Sequence, residues 1–483
     1  MFKKIKGLAG DSIIYGLSGV LTRFISVFLI PIYTRIFAPS DYGVINLVNS
    51  TFLLIGILVV VGLDNAATTW YWQKEDDAER ASTFSSWFWM QFSLSVLVLL
   101  AVLAVSSFLS KAILDDARFY DLFILSALSL PFTAFTLAYT TWLRVKRKPL
   151  ATVAFSLTKS LLSIGFSIYF VVYLGIGLVG VFLALLIANV LSAMVALYVM
   201  RKVLDFRNFA LDRAKEMLRF SIPLIPATIC FWLLNSAGGY FISQYASKAD
   251  VGLYQIGSSI AAVCNIVFWA FLQAWSPFAM SIHKQQDAPN IYAMVFDLYC
   301  ALGGAIVLFI FLFSPEILML LTTEAYYNAA LVAGILSVNI FIFNISQVTS
   351  IGCAIVRTNM PYAVGVAIAA IFTVGLYFAL IPVLGKEGAA ISTLIGSLIL
   401  SGYVTYKAQL LYFIPYRLKK NVFLILFMIL LALTSIVWPG SGVLSNIMYK
   451  AILLSLFLVF VFYVNRETVL KLVEKLKKSN ALS

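Results

Sequence analysis

Asn421 to Val437 reads NVFLILFMILLALTSIV, and Ala451 to Val464 reads AILLSLFLVFVFYV. Neither stretch carries a charge, and neither alternates polar with apolar residues. An uninterrupted apolar run crosses the ~30 Å hydrocarbon core of a bilayer as a helix, whereas a membrane β-strand shows about ten residues of alternating hydropathy. The same texture recurs along all 483 residues, 62% of them hydrophobic and 11% charged, with a mean hydropathy of +0.98. A soluble chain averages roughly half apolar and a quarter charged. The sequence therefore specifies an all-α polytopic membrane protein and excludes both a soluble enzyme and an outer-membrane barrel.

Working outward from these runs gives fourteen expected transmembrane helices: 12–37, 42–70, 82–109, 117–143, 150–173, 177–200, 214–244, 251–280, 290–314, 326–356, 361–384, 387–411, 421–439 and 443–465. An even number puts both termini on one side. Positively charged loops stay cytoplasmic. With the N-terminal side inside, 26 of the 34 Lys and Arg residues fall in inside segments, six fall outside, and Arg23 and Lys159 fall within spans. The formal charge of +13 is thus a matter of membrane topology and calls for no nucleic acid, although a basic inner face attracts anionic membrane lipids. The basic segment Met1 to Asp11 leads into a first span and lacks the short apolar region and cleavage site of a signal peptide.

An internal repeat divides the chain. Ser40-Asp41-Tyr42-Gly43-Val44 is echoed by Ala249-Asp250-Val251-Gly252-Leu253, Leu174-Gly175 by Leu384-Gly385, and Gly180 by Gly388, at offsets of 208 to 210. Copies separated by an even number of spans point the same way, related by an axis along the membrane normal. The expected organisation is an N-lobe of six spans (1–200), a cytoplasmic linker (201–213), a C-lobe of six spans (214–411), two further spans (412–465) and a cytoplasmic amphipathic tail (466–483). No connection is long enough to house an extramembrane catalytic domain.

Chemistry is correspondingly sparse. Cys230, Cys264, Cys300 and Cys353 all lie in apolar runs, where a thiol packs as a small hydrophobe, and His283 is the only histidine. No catalytic residue, metal site or cofactor is expected, and no phosphate-binding Gly-x-x-x-x-Gly-Lys-Ser/Thr loop occurs. Ionisable side chains deep in spans are expensive and mark pathways. Arg23 and Lys159 lie ~15 Å from the inner ends of their spans, and Asp64 and Asp297 ~12 Å, at 1.5 Å per residue. One reading lines a cavity with Arg23 and Lys159, where they neutralise an anionic substrate. The other pairs them with buried acids to knit helices together. Asp64 and Asp297 have the same two readings, with a coupling H+ or Na+ as a third. Asn235 and Gln244 are polar residues suited to a sugar-compatible cavity or to bonding between helices.

The opening segment, Tyr15-Gly16-Leu17 through Arg23, Pro31, Thr34-Arg35 and Ala38-Pro39-Ser40-Asp41-Tyr42-Gly43, then Gly62-Leu63-Asp64-Asn65-Ala66, resembles the polysaccharide-transport branch of the multidrug/oligosaccharidyl-lipid/polysaccharide exporter (MOP) superfamily. These are the Wzx-type repeat-unit flippases. Phe220-Ser221-Ile222-Pro223 to Val251-Gly252-Leu253-Tyr254 is similar to their second-half signature. Thr68-Thr69 and Gly238-Gly239-Tyr240-Phe241 stand where many relatives carry arginine, which leaves a less cationic cavity. The resemblance implies translocation of an undecaprenyl-pyrophosphate-linked oligosaccharide (an O-antigen, capsule or exopolysaccharide repeat unit) across the bacterial cytoplasmic membrane. It implies an ion-gradient drive, and glycan polymerase and glycosyltransferases as candidate partners. Arg35, within the opening motif, joins the candidate substrate contacts. The alternatives are an ion-coupled multidrug exporter, which favours acids and aromatics facing organic cations, an integral-membrane glycan polymerase or ligase, which needs a long external catalytic loop, and a non-transporting scaffold.

Overall fold

The computed structural model describes residues 28–73, 76–201, 203–437 and 442–480, and every element assigned in them is helical. The helices are α1 (Leu29–Ile36), α2 (Pro39–Val60), α3 (Leu63–Gln73), α4 (Asp77–Leu114), α5 (Tyr120–Val145), α6 (Pro149–Ile168) and α7 (Leu178–Met200), then α8 (Leu211–Ser221), α9 (Ile225–Ser236), α10 (Gly238–Tyr245), α11 (Lys248–Ala261) and α12 (Cys264–Ile282). There follow α13 (Ala288–Leu321), α14 (Ala330–Thr349), α15 (Ile351–Ile355), α16 (Met360–Leu411), α17 (Leu418–Val437) and α18 (Val443–Asn480).

Among the described residues eleven helical stretches are long and apolar enough to cross a membrane, or twelve if α11 and α12, which meet at a 47° bend, form one span. The count differs from fourteen for two reasons. The 52-residue α16 contains both expected spans 361–384 and 387–411, joined across a kink at Gly385 with φ 54°. The expected first span lies mostly outside the described residues, and Arg23 with it.

Local chemistry sets the helix boundaries. Pro39 and Pro149 occupy first turns, where a missing N–H costs nothing. The Asp41 carboxylate accepts from the Ala38 backbone N–H at 3.0 Å, and Asp76 accepts from that of Glu79 at 3.3 Å, capping α2 and α4. Asp115 ends α4 in the left-handed region, and the Arg118 guanidinium beside Asp116 holds that carboxyl down to about 2.

The chain forms two compact units. The first comprises Met1–Gln255 with Ala370–Ala389, the second Ile256–Ala369 with Ala390–Ser483. In the first, Phe84, Trp87 and Phe88 of α4 anchor an aromatic core with Leu63, Tyr71, Met200 and Met217. The segment after α7 is strapped to that core. Ser85 Oγ and Trp89 Nε1 donate to the carbonyls of Asp205 and Leu204, both at 2.9 Å, and the Ala210 N–H donates to Ser86 Oγ at 2.8 Å.

Repeat-related turns share one conformation. After α5, the N–H of Arg147 donates to the Arg144 carbonyl and that of Lys148 to the Leu143 carbonyl. After α15, Arg357 donates to Ala354 and Thr358 to Cys353. Both are Schellman turns, with arginine at φ 52° and 60° where glycine is the usual occupant. Gly175 and Gly385, matched in sequence, also share positive φ, at 63° and 54°.

Within the first unit, α2 and the start of α11 cross at two repeat-related glycines. A Cβ on Gly43 would collide with the Lys248 carbonyl, and one on Gly252 with the Pro39 carbonyl. Asn46 donates to Gln255 across the same crossing. Small residues allow this backbone approach where no hydrophobic drive exists between helices in lipid.

In the second unit, buried ion pairs hold the two C-terminal helices against α13. Asp297, 2% exposed, accepts from Lys420 Nζ at 2.9 Å and from Asn421 Nδ2 at 2.7 Å, and Lys420 also donates to Asn465 Oδ1. Near the other end of α13, Glu316 accepts from Lys450 Nζ at 2.6 Å. The two acids are 19 residues apart, or ~28 Å at 1.5 Å per residue. The spacing approaches the hydrocarbon thickness.

Two outcomes follow from this packing. Gly252→Val is expected to cost about 1–3 kcal/mol by overpacking, while Gly56→Ala, with open space beside it, leaves stability unchanged; thermal unfolding in detergent measures both. Asp297→Ala leaves the partly buried Lys420 with Asn465, and Asn421 without its acceptor, and is expected to destabilise by about 1–3 kcal/mol, read by the same assay, with Asp297→Glu retaining part of the stability.

Candidate functional site

Lys159 is the sequence-predicted residue that the structure places in a cavity. It sits ten residues beyond Pro149 on α6, ~15 Å along the helix axis. The cavity lies within the first unit and measures about 480 Å³. Gly56, Val59 and Val60 of α2 form an apolar wall, and α4 contributes Gln91. From α5 come Thr133, Thr136 and Thr140 with Leu130 and Leu137, and from α6 come Phe155, Ser156, Lys159 and Ser160.

The helical period explains the lining. Thr133, Thr136 and Thr140 recur at three- and four-residue intervals and share one face of α5; Ser156 and Ser160 share one face of α6. The Lys159 ammonium is oriented by Thr136 Oγ1 at 3.4 Å. No carboxylate is among the described residues lining the cavity, and Lys159 is the ionisable group there. A single cation with hydroxyls and one amide along one side and an apolar wall along the other is an environment for an oxygen-rich anion, because the charge has no carboxylate partner among the described lining residues.

The other expected residues sit elsewhere. Arg35 is exposed in the last turn of α1, and Asp64 is half-buried in the first turn of α3. Asn235 is exposed and donates to the Phe231 carbonyl of its own helix at 2.8 Å, and Gln244 is exposed on α10. Asp297 lies in the second unit, in the ion-pair network described above. The hydroxyl residues were missed by a reading that weighed charges and amides, and Gln91 was passed over among the amides. Their signal was the stripe 133, 136, 140 on one helix and 156, 160 on the next.

Comparisons with known proteins fit this architecture. The lipid II flippase MurJ in an inward closed conformation superposes with a TM-score of 0.73 at 14% identity, covering 95% of this chain and 100% of that one. A multidrug resistance MATE family transporter of the MOP superfamily, inward-facing, gives 0.63 at 17% identity, covering 82% and 97%. A MOP superfamily transporter from Pyrococcus furiosus, noted for a binding pocket of reverse polarity, gives 0.61 at 16% identity, covering 84% and 94%. At these identities the likeness establishes the fold. No curated protein sequence matches the chain. The profile of a family described as "Polysaccharide biosynthesis protein" matches residues 32–277, just over half of the chain, and the chain belongs to that family.

Proposed function

We propose that the chain is a flippase that carries an undecaprenyl-pyrophosphate-linked oligosaccharide from the inner to the outer leaflet of a bacterial cytoplasmic membrane by alternating access, with both termini cytoplasmic. The observation that carries this reading is Lys159, the ionisable group of a hydroxyl-lined cavity within the membrane-spanning helices. In that role its ammonium neutralises a diphosphate oxygen while the hydroxyls of Ser156 and Ser160 replace part of the water that an anion loses on leaving the interface. The family's link to polysaccharide biosynthesis and a fold shared with a lipid II flippase support the substrate class.

Arg23 is assigned a second cationic contact on the strength of the sequence, and Arg35, Asp64, Asn235 and Gln244 remain candidate contacts along the path. An H+ or Na+ gradient is the proposed drive. Glycan polymerase and glycosyltransferases are the proposed partners, as consumers and suppliers of the lipid-linked unit. The competing reading, an ion-coupled multidrug exporter, draws on the MATE-like fold, but organic cations are recognised by acids and aromatic faces, and the cavity presents an ammonium.

The test is complementation in a strain lacking the protein, with variants at matched membrane levels and the leaflet location of lipid-linked repeat units as the readout. Lys159→Ala is expected to lower export about ten- to hundredfold, the cost of one charge-assisted contact, and Lys159→Arg to restore part of it. Normal export in a folded Lys159→Ala protein would remove the residue from the site, and repeat units reaching the outer leaflet without the protein would sink the flippase reading.

A further inference from the structure

The turn between α5 and α6 places Arg144, Lys146, Arg147 and Lys148 within five residues. All four are exposed. Among the described residues, no ion pair with a carboxylate is recorded for any of them. Their side chains are nonetheless held. The Arg147 guanidinium lies 5.8 Å from the centroid of Trp72, itself 51% exposed, and Lys148 Nζ lies 5.8 Å from that of Trp142. Arg144 donates to Thr141 Oγ1 at 3.1 Å.

Arg147 adopts φ 52°, a conformation in which glycine is free of strain and a side chain is not. The tendency of cytoplasmic loops to be basic is satisfied by cations at any nearby position and does not ask for one here. Such a conformation persists where the surrounding structure holds it, and here the Trp72 face that receives the Arg147 guanidinium is part of that hold. The repeat-related turn keeps arginine at the same position, Arg357 at φ 60°, but Ala354 to Asn359 contains no second cation. The fourfold cluster is peculiar to the first copy.

The turn also communicates with the cavity. Trp142, under Lys148, stacks on Tyr139 at 6.1 Å, and Tyr139 meets Phe155 of the cavity wall edge-on at 4.7 Å. Thr152, Ser156 and Ser160 follow one face of α6 at four-residue intervals, from the turn up to the level of Lys159.

We propose that the Arg144–Lys148 turn is a capture site for the diphosphate head group of the lipid-linked substrate at the inner membrane surface, upstream of the Lys159 cavity. The proposal rests on the flippase reading given above. Arg147 and Lys148 grip phosphate oxygens while Trp72 and Trp142 hold the two cations at the interface, where tryptophan is at home. Ser156 and Ser160 of α6 then offer hydroxyls to the head group as it leaves water. Bulk anionic phospholipid carries one phosphate per head group. Four cations with no carboxylate partner among the described residues can meet the higher charge of the doubly phosphorylated one.

The experiment uses the full chain in phosphatidylcholine nanodiscs and measures undecaprenyl diphosphate binding by native mass spectrometry, with phosphatidylglycerol as competitor. Arg147→Gly/Lys148→Ala is expected to weaken binding about tenfold, while its thermal unfolding temperature stays equal to or above wild type because glycine relieves the strained turn. Phosphatidylglycerol in tenfold excess is expected to displace little of the diphosphate. Unchanged affinity in the double variant, or equal displacement by phosphatidylglycerol, would overturn the capture site. Lys159→Ala separates the two claims. If it blocks translocation while the turn variant binds and transports normally, the cavity reading stands and the capture site falls; if it too changes neither, both fall.

Discussion

A cation in hydrocarbon costs several kcal/mol unless polar groups or an anion meet it, and the first unit is arranged around that constraint at Lys159. The ammonium has one hydroxyl within reach and a wall of others beyond it, with no acid among the described residues lining the cavity. That arrangement tolerates the charge and leaves it uncompensated. A helix whose only task was packing would place an apolar residue here, as it does at Leu157, Leu161 and Leu162. The hydroxyl stripes on α5 and α6 are the part of the fold that makes the buried charge affordable, and they leave it available to an incoming anion.

The second unit treats its cations in the opposite way. Lys420 and Lys450 each meet a carboxylate at hydrogen-bond distance, near the two ends of α13. Buried pairs of this kind contribute little net stability but make loss of either partner costly, and they fix register. They hold the two C-terminal helices in place against the rest of their unit. The contrast separates a structural charge from a functional one on physical grounds: Lys420 and Lys450 have carboxylate partners, whereas the cavity lysine faces hydroxyls and space.

Much of this was legible in the sequence. The apolar runs fixed the class, and Gly43 and Gly252, matched in sequence, are the two glycines at one helix crossing. Lys159 stood out because charge is rare within a span. What the sequence concealed was partnership. Asp297 and Lys159 look alike as buried ionisable groups, and only packing tells that Asp297 is met by Lys420 and Asn421. The threonines of α5 were passed over because hydroxyls in membrane helices usually bond their own backbone, as Thr133 and Thr140 do. The paired αL arginines at 147 and 357 were invisible for a different reason: a strained φ has no signature when the residue is not glycine.

The central claim is that the Lys159 cavity is reached by water and holds a diphosphate. It is tested most directly by placing a single cysteine beside the lysine, Val60→Cys on the apolar wall of the cavity with Lys159 retained, in a background free of the four native cysteines, and timing its reaction with small charged methanethiosulfonates. The account predicts ready labelling that is slowed by undecaprenyl diphosphate and unaffected by undecaprenol. A thiol that never reacts, or one that the diphosphate fails to protect, would contradict it.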